Sequence, residues 1–283
     1  MKMAQVLWII QIISKGLVRT LRFKAHILRM ILLGSLGVAI HVSVVNAAVT
    51  DNSLPQESIP FVQGFIDAVK AHDRQAIADY MAYPIKRTNP IPAINTPEEL
   101  LKRFDQVFDP EILETIAQSQ VEADWQAMGW RGIMLGSGTI WMDFDGKITA
   151  VNYQTPAETK LKAELIANQK TGLHESVSQF VSPELAWQTA KFTIRVDNMG
   201  NGQYRYASWA KGKPLSEKPD LVLNQGKLVF DGSGGNHSFQ FTSGPYLYVC
   251  DVIVLGTSDS PIGELVVFKH DKVLLREPAI KAE

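Results

Sequence analysis

From Phe61 onward the apolar positions change period twice, and those changes divide the chain. Phe61, Phe65, Ala68 and Val69 recur at helical spacing over Phe61 to Ala71, which predicts an amphipathic helix burying that face. A second helix is expected from Asp73, with Ile77, Tyr80 and Met81 inward, ending before Pro84 because the residue ahead of a proline is driven out of the helical region. Thr96-Pro97-Glu98-Glu99 is a strong start signal: Thr96 can cap free amides, Pro97 lacks a donor at a place that needs none, and Glu99 can reach back. Leu100, Leu101, Phe104 and Val107 continue that helix, and Asp109-Pro110 opens another carrying Ile112, Leu113 and Ile116.

At Val121 the period turns to two. Val121 to Gln126, Arg131 to Phe144 and Lys147 to Tyr153 are expected as strands, with Gly136 and Gly138 bending the long middle one and Asp145-Gly146 forming a hairpin turn. Helices followed by an antiparallel sheet define an α+β domain over residues 58–156. Residues 157–181 are polar and helix-compatible, a connector broken at Gly172, and Ser182-Pro183-Glu184 suggests one more short helical turn. The rest, 182–283, is all-β in texture. Phe192 to Val196, Gln203 to Trp209, Leu221 to Leu223, Lys227 to Phe230, Ser238 to Thr242, Tyr246 to Val254, Glu264 to Lys269 and Lys272 to Arg276 are short strands separated by turn residues. That spacing predicts a small sandwich or barrel.

The order of the first domain, with Phe61-Val-Gln-Gly-Phe-Ile-Asp-Ala-Val, Asp73-Arg-Gln-Ala-Ile-Ala-Asp-Tyr-Met and then Gly129-Trp-Arg-Gly-Ile-Met-Leu-Gly-Ser-Gly-Thr-Ile-Trp-Met and Asp145-Gly-Lys-Ile, resembles the NTF2-like superfamily. The resemblance implies a cone of curved sheet and helices around a pocket. It admits both enzymes, such as isomerases and dehydratases, and binding or assembly domains.

The first 50 residues carry Lys2, Lys15, Arg19, Arg22, Lys24 and Arg29 and no acidic residue, and an apolar run from Met30 to Val45 ends at Val45-Asn46-Ala47-Ala48. Basic region, apolar region and small-residue site, in that order, predict a signal peptide over 1–47, followed by a polar leader over 48–57. The run is short for a span, which needs roughly 20 apolar residues, so no membrane span is expected in the mature chain. Export places the protein in the periplasm or outside the cell. It also changes the charge: loss of those six leaves 22 of 28 basic residues against all 29 acidic ones, a balance of −7. Nucleic acid is disfavoured as a partner, because such binding is largely phosphate neutralisation by Lys and Arg.

Candidate chemistry is sparse. His72, His174, His237 and His270 are scattered without metal-ligand spacing, so neither metal nor cofactor is expected. Asp231-Gly-Ser-Gly-Gly-Asn-His237 precedes a strand rather than a helix. It therefore predicts a wide hairpin loop and recognition tip instead of a phosphate cradle. Cys250, in strand texture, is expected buried and inert. Asp124 is the one candidate general base, provided the fold sets it in an apolar cavity that raises its pKa. Tyr80, Tyr83, Trp125, Trp130 and Trp141 in the first domain, and Tyr204, Tyr206 and Trp209 in the second, are candidate ligand-binding rings, against the commoner role of such rings as core. The expected function is an exported envelope accessory or binding protein that recognises a glycan, peptide or protein partner without catalysis. Its rivals are a small-molecule isomerase, dehydratase or hydrolase in the cone, and a purely structural module.

Overall fold

A computed structural model of the protein describes residues 52–282 apart from Ser233 and Ser258. The expected signal peptide lies outside the described residues. The first helical layer comprises α1 (Ile59–Lys70), α2 (Arg74–Tyr80), α3 (Pro97–Lys102), α4 (Phe104–Val107), α5 (Pro110–Gln118) and the short α6 (Val121–Asp124). Side-chain caps set three of the starts. Asp73, Thr96 and Asp109 accept from the amides of Ala76, Glu99 and Ile112, satisfying donors that a helix leaves free at its first turn. Glu99 reaches back as expected, but its carboxylate takes the amide of Asn95, at 2.9 Å, instead of closing on Thr96.

The buried face of α1 is Val62, Phe65, Ile66 and Val69, rotated from the expected stripe so that Phe61 is 40% exposed. Phe61 instead covers the hairpin turn, where a Cβ on Gly146 would lie 2.7 Å from its ring. Strands β1 (Trp125–Ala127), β2 (Ile133–Leu135), β3 (Ile140–Met142) and β4 (Ile148–Val151) pair in sequence order, all antiparallel. Two expectations are corrected here. The first four residues of Val121 to Gln126 are a helical turn, and Arg131 to Phe144 is a hairpin, because Gly136 (φ 59°) and Gly138 (φ 93°) reverse the chain between β2 and β3. This small sheet and its helices share one core, in which Phe65, Phe104, Trp125, Ile133, Ile140 and Met142 are at most 2% exposed. A small antiparallel sheet packed by helices is consistent with a general NTF2-like style of α+β architecture.

Helix α7 (Pro156–Gly172), capped by Thr155, occupies the expected connector and ends where Gly172 was expected to break it. Beyond it lies a nine-stranded antiparallel sheet: β5 (Ser182–Gln188), β6 (Phe192–Gly200), β7 (Gln203–Ala210), β8 (Leu221–Phe230), β9 (His237–Ser243), β10 (Tyr246–Val252), β11 (Gly263–Lys269), β12 (Lys272–Pro278) and β13 (Lys281–Ala282). Ser182-Pro183-Glu184 begins a strand and not a helical turn. Leu185 and Trp187 alternate into the core, and the pairing of β5 with β6 shifts register between Pro183 and Leu185, where proline removes a donor. The expected break at Gln225-Gly226 is a bend inside β8. Gln225 adopts φ 61°, β8 pairs with β7 as far as Gly226, and it pairs with β9 from Lys227.

The sheet curls until its ends share one stretch of chain. β12 pairs with β11, while two residues later β13 pairs with β5. One face encloses Trp187, Ile194, Val196, Tyr206, Phe241 and Cys250. The opposite face presents Ala207 and Trp209 to Leu173, Val177 and Phe180, which follow α7.

Candidate functional site

Most of the expected ligand-binding rings are packed. Trp125 is 1% exposed, meets Phe65 edge-on at 6.3 Å and donates from Nε1 to Ser119 Oγ at 3.0 Å. Tyr206 lies against Phe241 and Tyr248 inside the curled sheet, where burial pushes its phenol well above the usual range. Trp209, on the other face, is fully enclosed and donates to the carbonyl of Glu217 at 2.8 Å. These three rings have no surface to offer a partner, because alternation along each strand sends each of them into a different buried cluster.

Tyr80, Tyr83, Trp141 and Tyr204 are half-buried. Tyr80 packs edge-on to Phe65, and Tyr83 donates to the carbonyl of Ala78 with its pKa pushed up to about 12, first by desolvation. Trp141 lies under Arg131, and Tyr204 lies against Phe239 at 4.9 Å. Trp130, at 68% exposure, stands open on the turn between β1 and β2. The eight rings therefore do not converge on one site.

Asp124 is also displaced from its expected chemistry. It is exposed at the end of α6, and its carboxylate accepts from the amide of Gln120 at 2.7 Å, so no apolar cavity surrounds it. Cys250 is wholly enclosed, and burial raises its thiol far above the physiological range. A thiol held protonated in an apolar core is a packing group.

A cleft opens at one end of the curled sheet, and its first half is the loop that the sequence marks as a tip. Val229, Phe230, Asp231, Asn236, His237 and Asp251, together with neighbouring side chains of β9 to β11, line a cleft of 470 Å³. One side chain fixes its mouth. The Oδ1 of Asn236 accepts from the amides of Val254 (2.8 Å) and Leu255 (2.7 Å), and its Nδ2 donates to the carbonyl of Leu255 (3.1 Å), so the 231–236 loop is clasped to the 253–262 loop. Around the clasp, Phe230 is 66% exposed, and Val254, Leu255 and Ile262 are also open to solvent.

The cleft is acidic. Ser238 of β9 and Glu264 of β11 flank Asp251 directly across the sheet. Asp251 has its carboxyl raised above the ordinary aspartate value, by burial first and then by Glu264 and Asp231, with Arg276 opposing. Arg276 is itself ion-paired to Glu264. Among the described residues no group of three or more His, Cys, Asp or Glu is arranged to hold a metal ion. The cleft can instead attract an organic cation and seat an apolar group beside it. The sequence did not point to Phe230, Asp251 or Glu264 as site residues, although it did point to the Gly-rich loop that follows Phe230 and contains Asn236. Among the described residues no helix is long and apolar enough to cross a membrane. No protein-family model matches the chain, and neither does a curated protein or a solved structure.

Proposed function

We propose that the chain is an exported, extracytoplasmic binding protein that recognises a peptide or protein segment at the cleft beside Phe230, without catalysis of its own. The observation that carries this reading is the coincidence of an exposed aromatic anchor with Asp231, Asp251 and Glu264 on a mouth pre-set by Asn236. Aromatic anchors dominate interface energetics, and pre-set loops lower the ordering cost of binding. The complementary segment alternates Lys or Arg with large apolar residues. In this reading the first domain is an NTF2-like cone whose interior is filled by Trp125 and its neighbours, and the nine-stranded sheet is a closed barrel filled by Trp187, Tyr206 and Phe241. Both act as scaffolds for the cleft. Export rests on the basic-apolar-small order of residues 1–47.

A labelled peptide alternating Lys with Leu and Trp tests the site by fluorescence anisotropy. It should bind more tightly than its Glu-for-Lys counterpart, lose affinity as salt rises, and lose it again in Phe230→Ala and Asp251→Asn. Equal binding of the two peptides, or indifference to Phe230→Ala, defeats the assignment. N-terminal sequencing of the native protein from fractionated cells should begin at Ala48; an encoded methionine on cytosolic protein would remove the extracytoplasmic part.

A further inference from the structure

On the outer face of the curled sheet, away from the Phe230 cleft, two guanidinium groups share one carboxylate. Asp197 stands directly across from Arg205 and two residues along from Arg195. Its Oδ1 accepts from Arg195 Nε at 2.6 Å and its Oδ2 from Arg205 Nη2 at 2.7 Å, with all three side chains at most 5% exposed. Two cations against one anion leave a surplus positive charge in a dry place, and such a charge is costly unless it is matched.

Arg205 spends both Nη atoms, which also donate to the carbonyls of Val177 (2.6 Å) and Gln179 (3.0 Å), and only its Nε is buried without a partner. Phe180 covers one face of the Arg195 guanidinium at 4.6 Å, Nε is spent on Asp197, and Nη2 is buried with no hydrogen bond at all. Burial and the like charge of Arg205 both lower its pKa, while Asp197 holds it up. From α7 comes a further cation and not a carboxylate: Lys170 Nζ also lies over the Phe180 ring, 5.0 Å from its centroid.

Arg195 opens instead on a niche of 170 Å³ lined by Gln169, Gly172, Leu173, Ala186 and Leu215. Ala186 and Ala207 are the cross-strand neighbours of Arg195, and their small side chains leave the room beside it. The hydrogen bond from His174 N to Leu215 O, 3.0 Å, ties the two apolar walls together. Gln169 contributes a second buried atom without a partner, Oε1. Turning that amide end for end presents Nε2 as a donor to the same space. The niche is well below the roughly 300–1,000 Å³ of sites for drug-sized ligands, which confines an occupant to a few heavy atoms.

We propose that this niche binds a small aliphatic monocarboxylate, its carboxylate on Arg195 and Gln169 and its short chain between Leu173, Leu215 and Ala186. The anion cancels the surplus charge and gives the guanidinium a charge-assisted partner, while the apolar walls select an alkyl tail over a second charge.

Butyrate is the probe. Calorimetry and thermal denaturation of the wild-type protein should show saturable binding of one butyrate per chain, with a rise in Tm beyond that in equimolar chloride and none with butylammonium. Nuclear Overhauser contacts should join the butyrate methyl group to Leu173 or Leu215. Arg195→Met should weaken binding by about tenfold or more. Ala186→Leu, which fills the niche and leaves both ion pairs intact, should weaken it comparably, and Phe230→Ala should leave it unchanged. A response equal to chloride, equal stabilisation by butylammonium, contacts elsewhere, or unaltered affinity in Ala186→Leu would each overturn the proposal.

Discussion

At Gly226 an added Cβ would lie 2.1 Å from the ring of Phe241, inside the curled sheet, and at Gly172 it would meet nothing within 4 Å. Gly226→Ala is therefore expected to cost about 1–3 kcal/mol by forcing an overpacked core, whereas Gly172→Ala should be neutral or stabilise by roughly 0.4–1 kcal/mol through the unfolded chain. Chemical denaturation of the two variants checks both signs. Asp251 behaves differently, because its stability effect depends on protons. Its folded pKa is raised, so the folded state holds the proton more tightly than the unfolded one, and stability falls as pH rises from the ordinary aspartate range, about 3.9, through the raised value. Asp251→Asn should be more stable than the parent at pH 7, with the difference shrinking as pH approaches 4 in thermal melts. The same change should weaken a cationic partner, so stability and binding move in opposite directions. Single residues were the least legible level of the sequence. Period-two alternation placed Tyr206 and Trp209 on opposite faces of β7, but a sequence does not state that both faces are covered, one by the curled sheet and the other by the segment after α7.

Elements were more legible where local chemistry decides them. Thr96-Pro97, Asp109-Pro110 and the Asp145-Gly146 turn form as read, since caps and turns are settled by groups a few residues apart. Ser182-Pro183-Glu184 carries the same local signal and becomes a strand, because Leu185 and Trp187 gain more by entering the sheet core than a short helix could return. No local pattern could reveal the tie between the 84–95 segment and α7. Arg87 and Glu158 are 4% and 1% exposed and ion-paired, and Arg87 also donates to the carbonyls of Val151 and Tyr153, 64 and 66 residues away in sequence. Removing one member leaves a charge in a dry place. Arg87→Met is expected to lose about 3–5 kcal/mol, while Arg87→Met/Glu158→Met should recover most of that loss. A double-mutant cycle by urea denaturation measures the difference, and a double variant as unstable as Arg87→Met would mean that the carbonyl contacts of Arg87, and not the pair, hold α7 in place.

Across the whole molecule, the nine-stranded sheet depends on four residues, 279–282, out of proportion to their number. Ala279 N donates to Gly263 O at 2.8 Å on β11, and Ile280 N, the next amide, donates to Gln188 O at 2.7 Å on β5. Lys281 and Ala282 then pair with Gln188 and Trp187. The ion pair from Lys191 to Glu277, 2.8 Å, is a second link between the β5–β6 turn and β12. Without the strap, β5 would present unpaired amides and carbonyls along an edge, and an open edge is a template for pairing with another chain. Deleting residues 279–283 should leave the α1–α6 core in place, because Ala279 packs in the core of the curled sheet and the buried residues of α1–α6 form a separate cluster. It should also speed amide exchange in β5 and β12 relative to β7 and β8, and produce concentration-dependent association in size-exclusion chromatography. Adding Lys191→Ala to the deletion should accelerate exchange further in those same two strands. Exchange that rises uniformly across all nine strands would show instead that the sheet opens as one cooperative unit, with the strap contributing to its total stability and not to closing its edges.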